Sequence, residues 1–340
     1  MQTLMCKRLA LGFLCFCSVI CKAQSFEDSL QDVNNIVLDL TGLAEAYITP
    51  AAEGVAHQTT NGWFSTSKIE NEPWQITTSV QGNLLFIPSK RRTFLIDENQ
   101  LLNIGIVGSE TTAFSPTSIG DDNTIALEGN IGEESFTFDT PEGINENTFW
   151  QPQFQVGVSI PYKTEIILRY APRVSVSDAK YQSYGFGIHH SISQWFKSFN
   201  ESSWNISTLL YYTNFDVSTA FDEIDLILGN INAIASDSNA FGFNLIGSKS
   251  IDRFTFFGAF NATTSTYNYS IDGSGDELLQ ILNRAIENID NTQTFLTGNL
   301  GVRYEWNNFS IFSSLSFGEF QNMIIGLNYR FNTTSKVLVN

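Results

Sequence analysis

The chain has 340 residues, of which 18 are basic and 35 acidic, for a net charge of −17. A field of that sign repels phosphate backbones and argues against a nucleic-acid partner. All four cysteines, at 6, 15, 17 and 21, lie in the first 23 residues, so the rest of the chain carries neither a disulfide framework nor a thiolate site.

Lys7-Arg8 precede the apolar run "LALGFLCFCSVI", and Cys21-Lys22-Ala23 close it. These are the three regions of a secretory signal peptide, with cleavage expected after Ala23. Leu14, Phe16 and Ile20, which precede three of the cysteines, are too large for a lipid-attachment signal. Loss of the leader leaves 15 basic residues against 35 acidic ones, a net charge of −20.

Ser25 to Tyr47 reads as a helix, because Phe26, Leu30, Val33, Val37, Leu40 and Ala44 recur at spacings of three and four. Pro50 follows its expected end. The segment is acidic, with Glu27, Asp28, Asp32, Asp39 and Glu45, and has no basic residue. Two readings stand for the region 24–72: a surface helix of an ordinary domain, or a plug or periplasmic cap on a barrel.

From Trp74 onward the period is two. Strands are expected near 73–88, 150–160, 164–173, 181–190, 203–216, 238–249, 253–268, 293–306, 308–317 and 321–331, and segments near 93–107 and 124–139 add a further hairpin. Phe154, Val156, Val158 and Ile160 alternate with Gln153, Gln155, Gly157 and Ser159; beyond a turn at Pro161-Tyr162-Lys163, Ile166, Leu168 and Tyr170 alternate with Glu165, Ile167 and Arg169. The same alternation serves a soluble sandwich and a membrane barrel. No apolar run in the mature chain approaches the ~20 residues a spanning helix needs, so a membrane-spanning fold has to be a closed barrel. Short connections at 161–163, 250–252 and 306–307 fall on one side and long stretches at 89–149, 217–237 and 269–292 on the other, as in outer-membrane barrels, with the longer connection 191–202, whose Trp195 and Phe196 suit an interface, as the exception on the short side. The expected fold is therefore all-β: a closed antiparallel transmembrane β-barrel of ten to fourteen strands, twelve by best count, over 73–331, with an N-terminal helical plug or cap and a tail at 332–340. Phe331 ends the last alternating run like the terminal aromatic read by the barrel-assembly machinery, although nine residues follow it.

Candidate site residues follow from parity. Glu165, Arg169, Arg173, Arg303 and Arg330 are expected to project into the lumen, since a basic residue facing lipid at the midplane costs ~2–4 kcal/mol. Arg303 and Arg330, at the periplasmic end, either receive the acidic groups of 25–47 or stand as solvated lumen charges. Two further helix-like stretches, 221–235 and 276–290, carry apolar stripes: Ile224, Leu228, Ile231 and Ile234, then Leu278, Leu282, Ala285 and Ile289. They are expected to pack on each other at the outer mouth, or to form a lid over an entry for an apolar ligand. Lys90-Arg91-Arg92 is expected on the outer side, as solvated loop charge or as a contact for lipopolysaccharide phosphates. His57, His189 and His190 lack metal-ligand spacing, no cofactor fingerprint is present, and no serine is marked as a partner for His189. An enzyme is the least supported reading.

"EAYITP" (45–50), "NGWFSTSK" (61–68), "PQFQVGV" with "TEIILRYAPR" (152–173), "GFGIHHSISQW" (185–195) and "LIGSKSI" (245–251) together resemble an uncharacterised family of Bacteroidota outer-membrane barrel proteins. The resemblance implies a barrel with the N-terminal segment inside or beneath it and brings no ligand or catalytic residue. In architecture it is distantly similar to long-chain fatty-acid transporters, in which an N-terminal hatch occludes the lumen. The expected role is to pass or bind small, hydrophobic molecules at the outer membrane. The alternatives are a non-transporting surface barrel, acting as adhesin or anchor, and a soluble exported β-protein.

Overall fold

The computed structural model describes residues 2–69, 73–196, 199, 203–226, 229–287, 289 and 291–331, with the side chains of the first helix described from Leu30. Helix α1 (Gln2–Thr60) leads to strand β1 (Ile76–Phe86). Then come five short strands: β2 (Thr93–Asp97), β3 (Ile104–Ile106), β4 (Thr112–Pro116), β5 (Ala126–Ile131) and β6 (Glu134–Asp139). They precede β7 (Thr148–Ile160), β8 (Thr164–Val176), β9 (Ala179–Ser191), β10 (Trp204–Leu226), β11 (Gly229–Ile251) and β12 (Phe254–Ser274). Helix α2 (Asp276–Glu287) separates these from β13 (Thr292–Trp306), β14 (Phe309–Phe317) and β15 (Gln321–Phe331).

Among the described residues, β1 and β7 to β15 form a closed antiparallel barrel of ten strands, with β1 paired on one side to β15 and on the other to β7. Closure leaves no open edge. The count is ten and not twelve because β1 is paired to β7 along its whole length, from Ile76↔Val158 to Phe86↔Thr148, and leaves no place for the intervening hairpin. Segments 93–107 and 124–139, with β4 between them, instead build two small sheets, β2–β4 and β3–β5–β6, outside the barrel wall.

The faces follow the sequence alternation. Phe154, Val156, Ile166, Leu168 and Tyr170 are exposed on the outer surface, as are Phe256, Phe260, Ile311 and Leu327 around the barrel. One rim carries the turns at 161–163, 252–253 and 307–308, where Tyr162, Lys163, Asp252 and Asn307 take positive φ. It is ringed by exposed Trp195, Trp204, Phe254, Trp306, Phe309 and Phe331. On β12 the outward residues change from Phe254, Phe256 and Phe260 to Thr264, Thr266 and Asn268, so the apolar belt covers about half of that strand, close to the ~9–11 residues of a membrane strand. The remaining half, with its partners in β10 and β11, rises above the belt to the far rim. Far-rim connections are mixed: 177–178 and 318–320 are short, unlike the expected sorting.

The stretch 221–235 is not a helix. β10 and β11, each of 23 residues, pair through it with Ile224 opposite Ile231. The period-two run that carries Phe215 and Val217 inward continues past residue 220 after a bulge, and the long ladder outweighs the helical stripe. Leu228 lies outside the described residues. The helix at 276–287 forms as expected, and its Leu278 and Leu282 are buried with Ile286 while Ile289 packs partly buried beside them. It packs on β12 and on α1, so the partner helix at the mouth is α1. Asn283 fastens α2 down by donating to Ile271 O (2.9 Å) and accepting from Ile271 N (2.8 Å).

α1 also runs beyond its expected end, through Pro50 to Thr60. In the turn before Pro50, Tyr47 O accepts the Ser118 N–H at 2.9 Å, so the outer loop supplies a bond where the proline interrupts the helical ladder. Ala51, Ala52, Val55 and Ala56, fully or nearly fully buried, are small enough to let this last part of the helix enter the barrel mouth.

Candidate functional site

The lumen is filled by the end of α1 and by residues 61–69, which descend toward the rim where β1 begins. The end of a helix leaves carbonyls without intrahelical partners, and here the barrel wall supplies them. Asn83 Nδ2 donates to Gln58 O (2.6 Å) while Gln58 Nε2 donates to Asn83 O and Phe149 O (3.1 and 3.2 Å). Arg169 Nη1 donates to Thr59 O (3.0 Å) and Asn61 O (2.7 Å). A fixed positive charge at this helix end also complements the macrodipole. Gly62, at φ 78°, turns the chain out of the helix; a Cβ there would lie 2.9 Å from Ile324 Cδ1, so both conformation and space require glycine.

Below the turn, Trp63 is fully buried at the centre of the barrel. The Arg169 guanidinium lies over its ring at 4.0 Å, and Tyr211 stacks on it with centroids 5.3 Å apart. Gln155 connects the two layers, donating to Trp63 O (3.2 Å) and accepting from Arg169 Nη2 (3.0 Å). Phe64, Ile167, Leu209, Ile246, Phe257, Phe312 and Ile324 join Trp63 in an apolar cluster. The segment then leaves through Ser65, on Asn328 Nδ2 (3.2 Å), and Ser67, whose Oγ lies 2.6 Å from Ser248 Oγ.

Glu165, Arg169, Arg303 and Arg330 all lie on the inner face. Arg303 and Arg330 do not meet the described acids of α1: Arg303 is 2.8 Å and Arg330 3.9 Å from Glu305, and Arg303 Nη1 reaches Ser65 Oγ at 3.4 Å. Asp32 and Asp39 are at the opposite end, where Asp39 accepts the backbone N–H groups of Leu102, Asn103 and Ile104 at 2.8–3.0 Å. The Gly132 N–H and Asn103 amide hold the Asp32 carboxyl below its usual range. The helix is thus a cap at the far rim as well as the top of the plug. Arg173 does not face the lumen: a register shift between Ala171 and Val174 turns it outward, 3.0 Å from Asp216 on the exterior. Arg169 carries the site, and its role as a clamp was not among the expectations.

His189 Nε2 lies 2.7 Å from Ser207 Oγ, and its Nδ1 lies 3.6 Å from Glu165 Oε2. Ser207 is fully buried, whereas Glu165 and His189 line a cavity of about 70 Å³ beneath Trp63. At the far rim, Arg91 lies 3.0 Å from Glu53 and 2.7 Å from Glu319, which also pairs with Lys90 at 2.9 Å. Burial raises the Glu53 carboxyl above its ordinary range, against the pull of Arg91. For Glu319 burial acts upward too, but hydrogen bonds and charge from Arg91 and Lys90 outweigh it and lower the carboxyl. Arg92 bonds Asn145 at 2.9 Å, so the whole basic run has partners within the chain.

Among solved structures, the translocator domain of the autotransporter NalP from Neisseria meningitidis is similar at 9% identity, with 85% of this chain and 99% of that one covered and a TM-score of 0.39. Ail, the attachment invasion locus protein of Yersinia pestis, is similar at 10% identity, covering 76% and 100%, with a TM-score of 0.28. The KdgM porin in complex with disordered oligogalacturonate is similar at 8% identity, covering 54% and 93%, with a TM-score of 0.27. No curated protein matches. The family profile that matches residues 1–331 is described as a family of unknown function, DUF6588, and the chain belongs to that family.

Proposed function

We propose that the protein is a self-plugged β-barrel of a Gram-negative outer membrane, exported by its leader, non-enzymatic, and working at its outer face. The observation that carries this is the filled lumen: Trp63 is wholly buried between Arg169 and Tyr211, and every described carbonyl from His57 to Asn61 except Thr60 O has a side-chain donor. A wall built to bind its own chain this closely is suited to holding a platform, not to continuous conduction. The exposed apolar belt and aromatic rim support membrane insertion with the 161–163 rim in the periplasm. The platform is then α1, α2 and the two small sheets, raised above the membrane on β10 to β12. Belt lipids and the assembly machinery, through Phe331, are the partners this implies. Lipopolysaccharide would meet the far rim, although Lys90 and Arg91 already serve Glu319 and Glu53.

A second reading, a passage for small apolar molecules that opens when 61–69 withdraws, is favoured by one observation. An apolar recess lies under the cap, lined by Leu40, Phe94, Phe138, Ile224 and Ile231 among others. In this reading Ile224 and Ile231 form the floor of an entry and Leu278, Leu282 and Ile289 brace the helix above it. Solute-swelling assays in liposomes separate the two: no swelling with any small solute supports the platform, and swelling that depends on solute apolarity supports the passage.

A further inference from the structure

The far rim holds a crevice of about 540 Å³ between the edge of the β3–β5–β6 sheet and the top of β10. That volume is typical of a small-molecule site. Six carboxylates line it, Asp139, Glu142, Asp178, Asp222, Glu223 and Asp225, and among the described residues no Lys, Arg or His does. The crevice shares Phe138, Thr140, Pro141, Phe221 and Ile224 with the apolar recess of about 40 Å³, whose walls are nearly free of polar surface. Tyr47 joins the two parts: its ring meets Phe221 edge to face at 5.9 Å, and its hydroxyl donates to Glu142 O at 2.7 Å.

An acidic chamber that shares a wall with an aromatic, apolar recess has two complementary demands. The chamber favours positive charge and focuses it, because its walls exclude compensating bases. Aromatic faces at the junction add cation–π attraction for a weakly hydrated organic cation. The carboxylates do not converge as an ion's ligands would: among the described residues no group of three or more acidic, His or Cys side chains is placed to hold a metal. The recess is too small for a whole ring or long chain, given that about 150 Å³ takes benzene, and suits the tip of an alkyl group.

We propose that this crevice binds small amphiphilic organic cations, with the cationic head among the six carboxylates and an alkyl tip in the recess beside Phe138 and Phe221. The proposal rests on the reading that this rim faces outward from the cell, and names the ligand class of the platform.

Titration calorimetry on the full chain in lipid nanodiscs tests it, with hexyltrimethylammonium as probe, hexanesulfonate as the same chain with the opposite charge, and tetramethylammonium as the head alone. Saturable binding of hexyltrimethylammonium, weaker binding of tetramethylammonium and none of hexanesulfonate is the expected order. Asp222→Asn, Glu223→Gln and Asp225→Asn together, all at exposed positions and isosteric, lower the affinity about tenfold or more, as loss of three close charges predicts. Heat-modifiable gel mobility reports that the variant is folded. The proposal is overturned by absence of saturable hexyltrimethylammonium binding, by equal binding of hexanesulfonate, or by unchanged affinity in the folded triple variant. The comparison of the three probes on the unaltered protein needs no variant. Failure here with a silent lumen leaves the plugged platform standing, whereas binding by a protein that also conducts overturns the plug alone.

Discussion

Arg169 stands 4.0 Å above the ring of Trp63 and at the same time donates to the carbonyls of Thr59 and Asn61, two to four residues earlier in the same segment. One side chain of the wall therefore fixes both the end of the helix and the residue that blocks the barrel. Arg169→Ala leaves the Asn61 carbonyl without its guanidinium donor, leaves Thr59 O to Trp63 Nε1 alone (3.1 Å), and removes the cation–π contact, a loss of about 2–4 kcal/mol. Hydrogen exchange at residues 59–64 is expected to accelerate while β7 to β9 stay protected. Arg169→Lys restores little, because an ammonium cannot fork to two carbonyls and Gln155 together. Unchanged protection at 59–64 in the alanine variant contradicts the clamp.

Two glycines on the N-terminal segment give opposite expectations. Gly62 has positive φ and no room for a Cβ, so Gly62→Ala lowers stability by about 1–2 kcal/mol or more. Gly42 sits on an exposed helical face where an added Cβ would meet nothing within 4 Å, and Gly42→Ala raises helix stability by about 0.5–1 kcal/mol. The temperature at which heat-modifiable mobility is lost, measured side by side, should move in opposite directions.

Acid titration of the cap has contributions of opposite sign from Glu53, Glu319 and His57. The folded Glu53 carboxyl is raised, so folding favours its protonated form. Its unfavourable contribution is fully present above the folded pKa and fades as pH falls from there toward the ordinary 4.5. The folded Glu319 carboxyl is lowered, so its favourable contribution is present above 4.5 and is lost as pH falls through the folded value. Burial lowers the His57 imidazole to about 4, so its favourable contribution is present above 6.5 and is lost as pH falls from there, against the gain from Glu53. Limited proteolysis of the 87–147 region against pH reads the separate contributions: Glu53→Gln is expected to protect the region most at neutral pH, and Glu319→Gln to expose it there, with each difference fading in acid. A neutral-pH protection unchanged by Glu53→Gln contradicts the assignment.

Arg173 provides the negative control. It pairs with Asp216 on the exterior, where exposed pairs are worth about 0–1 kcal/mol. Arg173→Ala should leave thermal stability and lumen closure unchanged, and any gain in conductance from this substitution contradicts its outward placement.

The barrel was legible in the sequence because a period of two persists through ten segments and the apolar members of each run share a face. The extra hairpin and the 221–235 helix were misread for one reason: local pattern does not reveal which strand edges are already paired, and β1 with β7, and β10 with β11, occupy theirs in full. The plug left a signal that parity alone misplaces. Ile167, Ile246 and Ile324 fall on the inner face, among Gln, Gly, Asn and Ser, and all three pack in the cluster around Trp63. Apolar residues on a lumen wall need an apolar partner, and "NGWFSTSK" held one. Arg173 was misplaced because a bulge changes parity within a strand and has no firm mark in sequence.

The measurement that bears most directly on the plugged lumen is single-channel conductance of the purified protein in planar bilayers. The unaltered chain is expected to be silent, as is a chain lacking residues 30–47, which leaves 51–69 in the lumen. The double substitution Trp63→Gly and Arg169→Ala is expected to open discrete channels. Steady conductance by the unaltered chain, unaffected by that double substitution, contradicts a lumen closed by Trp63.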